Sequence, residues 1–355
     1  MLDVSHEARI RSAWQGRISG CQLGKAVELL SMREGRGALT EYLQAADALP
    51  IRDYIPLVEG TSVARQFSQC CRGQFERSEP DDDINYSVLA LMMLEEHGAE
   101  LSTADVARAW LNYLPGGIVF TAERDALVTL LSKANYGFGF GADPGFDLRE
   151  CSDNQHNDWI GAQIRADLYG WVCPGNPALA ADLARRDAEL SHRQEGVYGA
   201  VAVAAIGAAI PATKTMREAV DLALGFIPGD SECAAAMRLG VDATVAGEGP
   251  DEIHRRYDDL SPVHTVNNLA LVTWGLLAGE EDFSAAIGDT VAGGWDTDCN
   301  AATVGGLWGL SGKPIPSLWT EPWQGRVAVQ LAGVGELVLD DLVARTLQVA
   351  EKLGG

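Results

Sequence analysis

"PDDDINYSVLALMMLEEHG", residues Pro80 to Gly98, decides how the chain is read. Its apolar side chains recur at Ile84, Val88, Leu91 and Leu94. Spacings of three and four residues put them on one face of a helix. Pro80 and three aspartates precede that face, and Gly98 follows it, as a helix start and stop require. The same rhythm returns along the chain. "NPALAADLARRDAELSH" has Asn176 as N-cap, Pro177 at the first helical position and a stripe of Leu179, Leu183 and Leu190. "TKTMREAVDLALGF", "VHTVNNLALVTWGLLAG" and the tail "ELVLDDLVARTLQVAEKL" follow suit. No series of alternating strands and no βαβ rhythm appears, so the expectation is an all-α chain, 1–355, forming a single helical domain.

Bulk properties narrow the function. The 355 residues carry 27 basic and 50 acidic side chains, a formal charge of −23. That field repels a phosphate backbone, which argues against general nucleic-acid binding and leaves cations and neutral ligands open. Seven cysteines, an odd number with no CxxC pair, argue against a disulfide framework or a zinc ribbon. "MLDVSHEARIRSAW" has no apolar core of a secretory signal. The longest apolar run, Val197 to Ile210, reads as too short and too rich in small residues to span a bilayer. A cytoplasmic, soluble protein without a membrane partner is expected. The segments Arg72–Pro80, Tyr136–Cys151 and Trp319–Arg326 read as irregular. "YGFGFGADPGFD" contains GxGxG, but no strand leads into it and no helix follows closely, so it reads as a loop rather than a dinucleotide site.

Two acidic clusters carry the chemistry. Asp81, Asp82 and Asp83 sit where carboxylates ordinarily cap a helix and complement its dipole. The second lies in "GGWDTDCNAATVGG", Gly293 to Gly306. There Asp296 and Asp298 share one side only if the segment is extended. The reading is therefore a turn allowed by Gly293 and Gly294, with a helix beginning near Asn300. Gly305 and Gly309, one turn apart, would let a neighbouring helix approach closely. If the fold joins the clusters, five carboxylates converge. Two unit charges 4 Å apart repel by about 4 kcal/mol at an effective dielectric of 20. Such a group needs protons or a bound cation, and oxygen ligands suit Mg²⁺, Mn²⁺ or Ca²⁺ rather than zinc.

With these motifs in hand, the chain resembles the ADP-ribosylglycohydrolases, the all-α group that includes dinitrogenase reductase-activating glycohydrolase. "DDDINYSVLAL" is similar to the family's early Thr-Asp-Asp, with Asp81 in the threonine position. "GGWDTDCNAATVGG" is similar to its late Gly-Gly-Asp-x-Asp-Thr. "GRISGCQLGKAVE" resembles a Gly-rich N-terminal helix ending in an active-site glutamate, here Glu28. "WIGAQIRADLYG" resembles the segment whose start lines the ribose-phosphate pocket, and "SHRQEGVYG" the Ser/Thr-His step at His192. The match runs from about residue 10 to 312, with all five motifs in the family's order.

The resemblance implies a compact orthogonal multi-helix bundle around a central di-metal site. It implies two Mg²⁺ ions, with Mn²⁺ or Ca²⁺ as alternatives, held by Asp81, Asp82, Asp83, Asp296 and Asp298 with Cys299 beside them. Cys21 and Cys299 stand where the family has an aspartate and a Thr or Ser, and sulfur is a poor ligand for magnesium. Glu28 is implied as acid/base, with Asp83 or Asp296 doubling as base. Asp158, Trp159, Ile160, Gly161 and His192 are implied to line the substrate pocket, and Asn268 is read as a group that bonds a substrate hydroxyl or else satisfies neighbouring backbone. Trp159, Tyr198 and Trp295 are candidates to stack on an adenine.

The implied reaction is hydrolysis of the glycosidic bond of an ADP-ribosylated protein or a smaller riboside. Two rivals are weighed. A terpene-cyclase-like enzyme also uses magnesium and aspartates, but "DDDIN" only partly fits DDxxD and "GGWDTDCN" is left unexplained. An ADP-ribose-binding protein of the same fold would have lost its metal site, whereas the acids here are intact.

Overall fold

A glycine stripe on the first helix, Val4–Lys25, sets the architecture. Gly16, Gly20 and Gly24 recur every four residues, so they share one face. That face lies against the late helix Thr297–Gly309 in antiparallel sense. A Cβ on Gly16, Gly20 or Gly24 would overlap the backbone of Gly305, Ala301 or Thr297 respectively, and one on Gly309 would overlap Ser12. Only hydrogen at these positions permits the approach. The Thr297 hydroxyl donates to the Gly24 carbonyl at 2.8 Å and fixes the register. The C-terminus of the first helix therefore meets the N-terminus of the late one.

This computed structural model describes residues 4–354. Among them are eighteen α-helices, short 3₁₀ turns and one antiparallel pair of two-residue strands, Arg326–Val327 with Leu337–Val338. Strands of two residues leave no period-two pattern, and none was expected from the sequence. Most buried apolar side chains form one large cluster, which draws on helices from both ends of the chain, and Ile160, Ile164 and Cys299 form a small separate one.

The quoted segment is helical over Asp82–His97, with Asp81 as N-cap and Gly98 ending it at φ 55°. Asn176 caps Pro177–Ala188 through the Leu179 N–H. The predicted helices at Met216–Ala223, Thr265–Ala278 and Leu339–Gly354 also form. The Ala- and Gly-rich helix Glu195–Ala209 is almost wholly interior. Its apolar span, Glu195–Ala212, does reach 18 residues, long enough to cross a membrane by length and composition. It is 78% buried, as a core helix would be.

Two boundaries differ from the sequence reading. The late helix starts at Thr297, not near Asn300, and Asp296 is its N-cap residue. The reversal that separates it from the preceding helix, Phe283–Gly293, is made by two successive residues of positive φ, Gly294 (85°) and Trp295 (57°). Asp296 and Asp298 thus converge from a cap and a first turn, without an extended segment. The first helix ends at Lys25, and Glu28 opens a second helix, Glu28–Ala45, that kinks at Gly35 (φ 83°, ψ 174°).

Candidate metal centre and active-site cavity

Arg17 organises the early acidic cluster. Its fully buried guanidinium donates to Ser87 Oγ (2.7 Å), the Asp83 carbonyl (2.8 Å), Asp167 Oδ2 (2.9 Å) and Asp83 Oδ1 (3.1 Å), and to the Ile164 carbonyl. One side chain thereby ties the first helix to the acidic helix and to the segment after Gly161. Asp81, the N-cap, accepts the Asp83 N–H at 2.9 Å. It also forms an ion pair with Lys25, the last residue of the first helix. Burial alone would raise the Asp81 carboxyl, but the Lys25 ammonium and these hydrogen bonds outweigh it and bring it down to about 2.

The late cluster arrives beside this one. Ligand atoms of Cys21, Asp81 and Asp83 lie within 4.8 Å of one another, as do those of Asp296, Asp298 and Cys299. Burial first, then the neighbouring carboxylates, pushes Asp82, Asp296, Asp298 and Glu28 above the usual carboxylate range. Asp83 is raised for the same reasons, with Arg17 opposing. Acids so crowded cannot all ionise unless a cation joins them.

The residues present fit a hard divalent ion. Asp83 Oδ2 and Asp298 Oδ1 are buried oxygens with no hydrogen-bond partner, and the donor set is mainly carboxylate oxygen. Two buried thiols, Cys21 and Cys299, stand at the edges as soft groups. All seven cysteines are free.

A cavity of about 510 Å³ opens over these groups. Of the residues expected from the sequence, Glu28, Asp81, Asp82, Asp296, Asp298, Cys299, Trp159, Ile160 and Gly161 line it. Asp83 lies behind them on Arg17. The Trp159 segment is held by paired backbone bonds, Ile160 N to Val263 O (2.9 Å) and Thr265 N to Asp158 O (3.1 Å).

Asp158, His192 and Asn268 are not in the lining. Asp158 pairs with His264 at 3.2 Å. Asn268 donates to the Pro262 and His264 carbonyls, both at 2.8 Å, and accepts from Asn300 at 2.7 Å, which braces the late helix. His192 is buried behind Glu123, at 3.8 Å from its carboxylate, and borders a neighbouring surface cleft with Tyr198. Trp295 faces away and stacks on His254, ring centroids 4.0 Å apart.

Two charged lining residues were not singled out in the sequence. Lys25 is one. Glu123, in the first turn of helix Thr121–Lys133, is the other. Arg165 holds it in a buried ion pair and also donates to Asp187 Oδ1 at 2.7 Å and Ser191 Oγ at 2.9 Å. A Cβ at Gly161 would strike the Glu123 carboxylate, so the glycine of the Trp-Ile-Gly step makes room for it. The apolar walls come from Phe67, Tyr86, Ile118 and Phe120.

The comparisons agree with this architecture. The family model described as ADP-ribosylglycohydrolase matches residues 2–351. Among solved structures, a chain from an ADP-ribosylglycohydrolase-related protein complex superposes with a TM-score of 0.64. The superposition covers 98% of this chain and 99% of that one at 19% identity, a likeness of fold. The curated proteins hold no match to the sequence. With its model spanning nearly every residue, the chain belongs to the ADP-ribosylglycohydrolase family, and that membership supports a glycohydrolase function.

Proposed function

We propose that the protein is a divalent-metal-dependent hydrolase that cleaves the glycosidic bond of an ADP-ribosylated protein or a related riboside and releases ADP-ribose. One observation carries this reading. Acids more than 200 residues apart in the sequence meet in one cavity, with buried carboxylate oxygens left unpartnered.

Asp82, Asp296 and Asp298 would hold the ion, with Mg²⁺ the first choice for an all-carboxylate oxygen set. When bound, a divalent cation supplies positive charge that orients the ribose hydroxyls and favours ionisation of water. The remaining work falls to the chain's own groups. Glu28, at the start of the second helix and lining the cavity, is placed to give a proton to the departing group. Asp296, at the rim of the late helix, is placed to take a proton from the attacking water. Asp83 is a weaker base candidate because Arg17 occupies it. Trp159, Phe67 and Phe120 supply apolar surface for a nucleobase or aglycone and exclude water around an oxocarbenium-like transition state.

The test is release of free ADP-ribose from modified protein, nucleobase and small conjugates, with Mg²⁺ and with chelator. Metal-dependent release is expected. Tight ADP-ribose binding without cleavage across the panel would replace this reading with that of a binding protein of the same fold.

A further inference from the structure

The two groupings of ligand atoms are not equivalent. In the early one, both acids already face a protein cation, although Asp83 Oδ2 stays without a partner. Asp81 is paired with Lys25, and Asp83 Oδ1 with Arg17. The third member, Cys21, offers only sulfur, which suits a hard cation poorly. In the late grouping, Asp296 and Asp298 form no ion pair with any Lys, Arg or His among the described residues. Asp298 Oδ1 is buried there without a hydrogen bond.

Lys25 is anchored at its backbone, and its side chain is largely enclosed. Gly24, its neighbour, is locked against Thr297 by close backbone packing and by the Thr297 hydroxyl bond. The Lys25 side chain is only 14% exposed, and its Nζ sits 5.0 Å from the Phe67 ring centroid. Its charge stands in the cavity lining at Asp81, the side on which the early grouping lies, and is felt more weakly at Asp298.

We propose that Lys25 is a built-in cation that occupies the Asp81 side of the centre, so that the site takes one divalent ion, at Asp296 and Asp298 with Asp82 facing the same cavity, rather than two. A cation entering at Asp81 would meet the fixed ammonium at short range in a poorly solvated pocket, and like charges there repel strongly. This inference rests on the metal-dependent reading above and concerns how many ions that reading requires.

Mn²⁺ alone is the probe, titrated into the full, metal-stripped chain by calorimetry and followed by electron paramagnetic resonance. The wild type should bind one ion per chain and give the spectrum of an isolated Mn²⁺. Lys25→Met should admit a second ion, with a stoichiometry of two and a spin-coupled spectrum. Asp81→Asn keeps a good N-cap and should still bind one ion, more weakly than wild type because the Lys25 ammonium loses its counter-charge. Asp298→Asn should weaken binding at least about thirtyfold. Two coupled ions in the wild type would overturn the proposal. So would a stoichiometry of one in folded Lys25→Met, or tighter binding of the ion in Asp81→Asn. Should Lys25→Met fail to fold by circular dichroism, Lys25→Gln and Asp81→Asn decide the matter. No Mn²⁺ at all in the wild type would instead sink the metal-dependent reading itself.

Discussion

Gly16 and Gly305 lie backbone against backbone: a methyl group on either would overlap the carbonyl oxygen of the other. This contact holds the first and late helices at the distance at which Lys25, Glu28 and Asp298 share one cavity. Gly305→Ala should therefore cost about 1–3 kcal/mol or more by overpacking. Gly37→Ala is the control. Gly37 lies in the second helix with open space around its Cβ position, so alanine there should be neutral or stabilise by about 0.4–1 kcal/mol. Chemical denaturation of the two variants checks the contrast, and equal effects would remove the close approach as a determinant of the fold.

Ligand binding and chemistry should separate by mutation. A divalent ion at 100 times its Kd stabilises the native state by about 2.7 kcal/mol through mass action. Asp298→Asn should abolish that Mg²⁺-induced rise in Tm. Glu28→Gln should keep it yet lower kcat by about 10²–10⁴-fold, the usual contribution of a general acid or base. A Glu28→Gln enzyme of normal rate would shift the proton-transfer role to another carboxyl.

Glu123 and Arg165 form a buried pair at the cavity wall. Glu123→Ala leaves the guanidinium with Asp187 as its remaining carboxylate partner and opens space beside Gly161. Breaking a buried pair on one side typically costs about 3–5 kcal/mol. Urea denaturation should show a loss of that order, and Glu123→Gln, which keeps an acceptor oxygen, a smaller one. A loss under about 1 kcal/mol for the alanine variant would mean that cavity water compensates the charge.

His192 should make the fold acid-sensitive. Burial first, then the Arg165 charge, holds its imidazole well below the usual value of 6.5. The unfolded chain therefore takes up a proton near pH 6.5 that the native chain refuses. Stability falls as pH drops below the unfolded value, and this contribution vanishes above it. Between pH 7.5 and 5.5 the group should cost the wild type about 1.4 kcal/mol. His192→Gln should lose that much less over the same interval, measured by denaturation at both pH values. Parallel pH profiles would show that the native histidine binds the proton after all.

Much of this architecture is written locally. Asp82–His97 was legible because proline, acidic caps, apolar period and terminal glycine all agree. The start of the late helix was not. Asp296, Thr297 and Asp298 carry no apolar periodicity, and the glycines before them signal a turn without saying where it closes. Lys25 at a helix C-terminus and Glu123 at a helix N-terminus both look like ordinary complements to the helix dipole. Only tertiary packing turns them toward the cavity. For Asn268 the sequence left a substrate hydroxyl and neighbouring backbone as alternatives, and the 261–265 turn folding back on it decides for backbone, with its amide bracing the late helix. The meeting of the two acidic stretches was inferred from resemblance, because no local rule relates residues so distant.

That distance bears on synthesis. The first helix leaves the ribosome with a bare glycine groove, and the helix that fills it follows only after some 270 further residues. The chain must be translated through the late helix before the acids can be assembled, so the centre forms long after its first helix. Nascent chains stalled ahead of Thr297 would carry an open, unsatisfied seam for chaperones to guard.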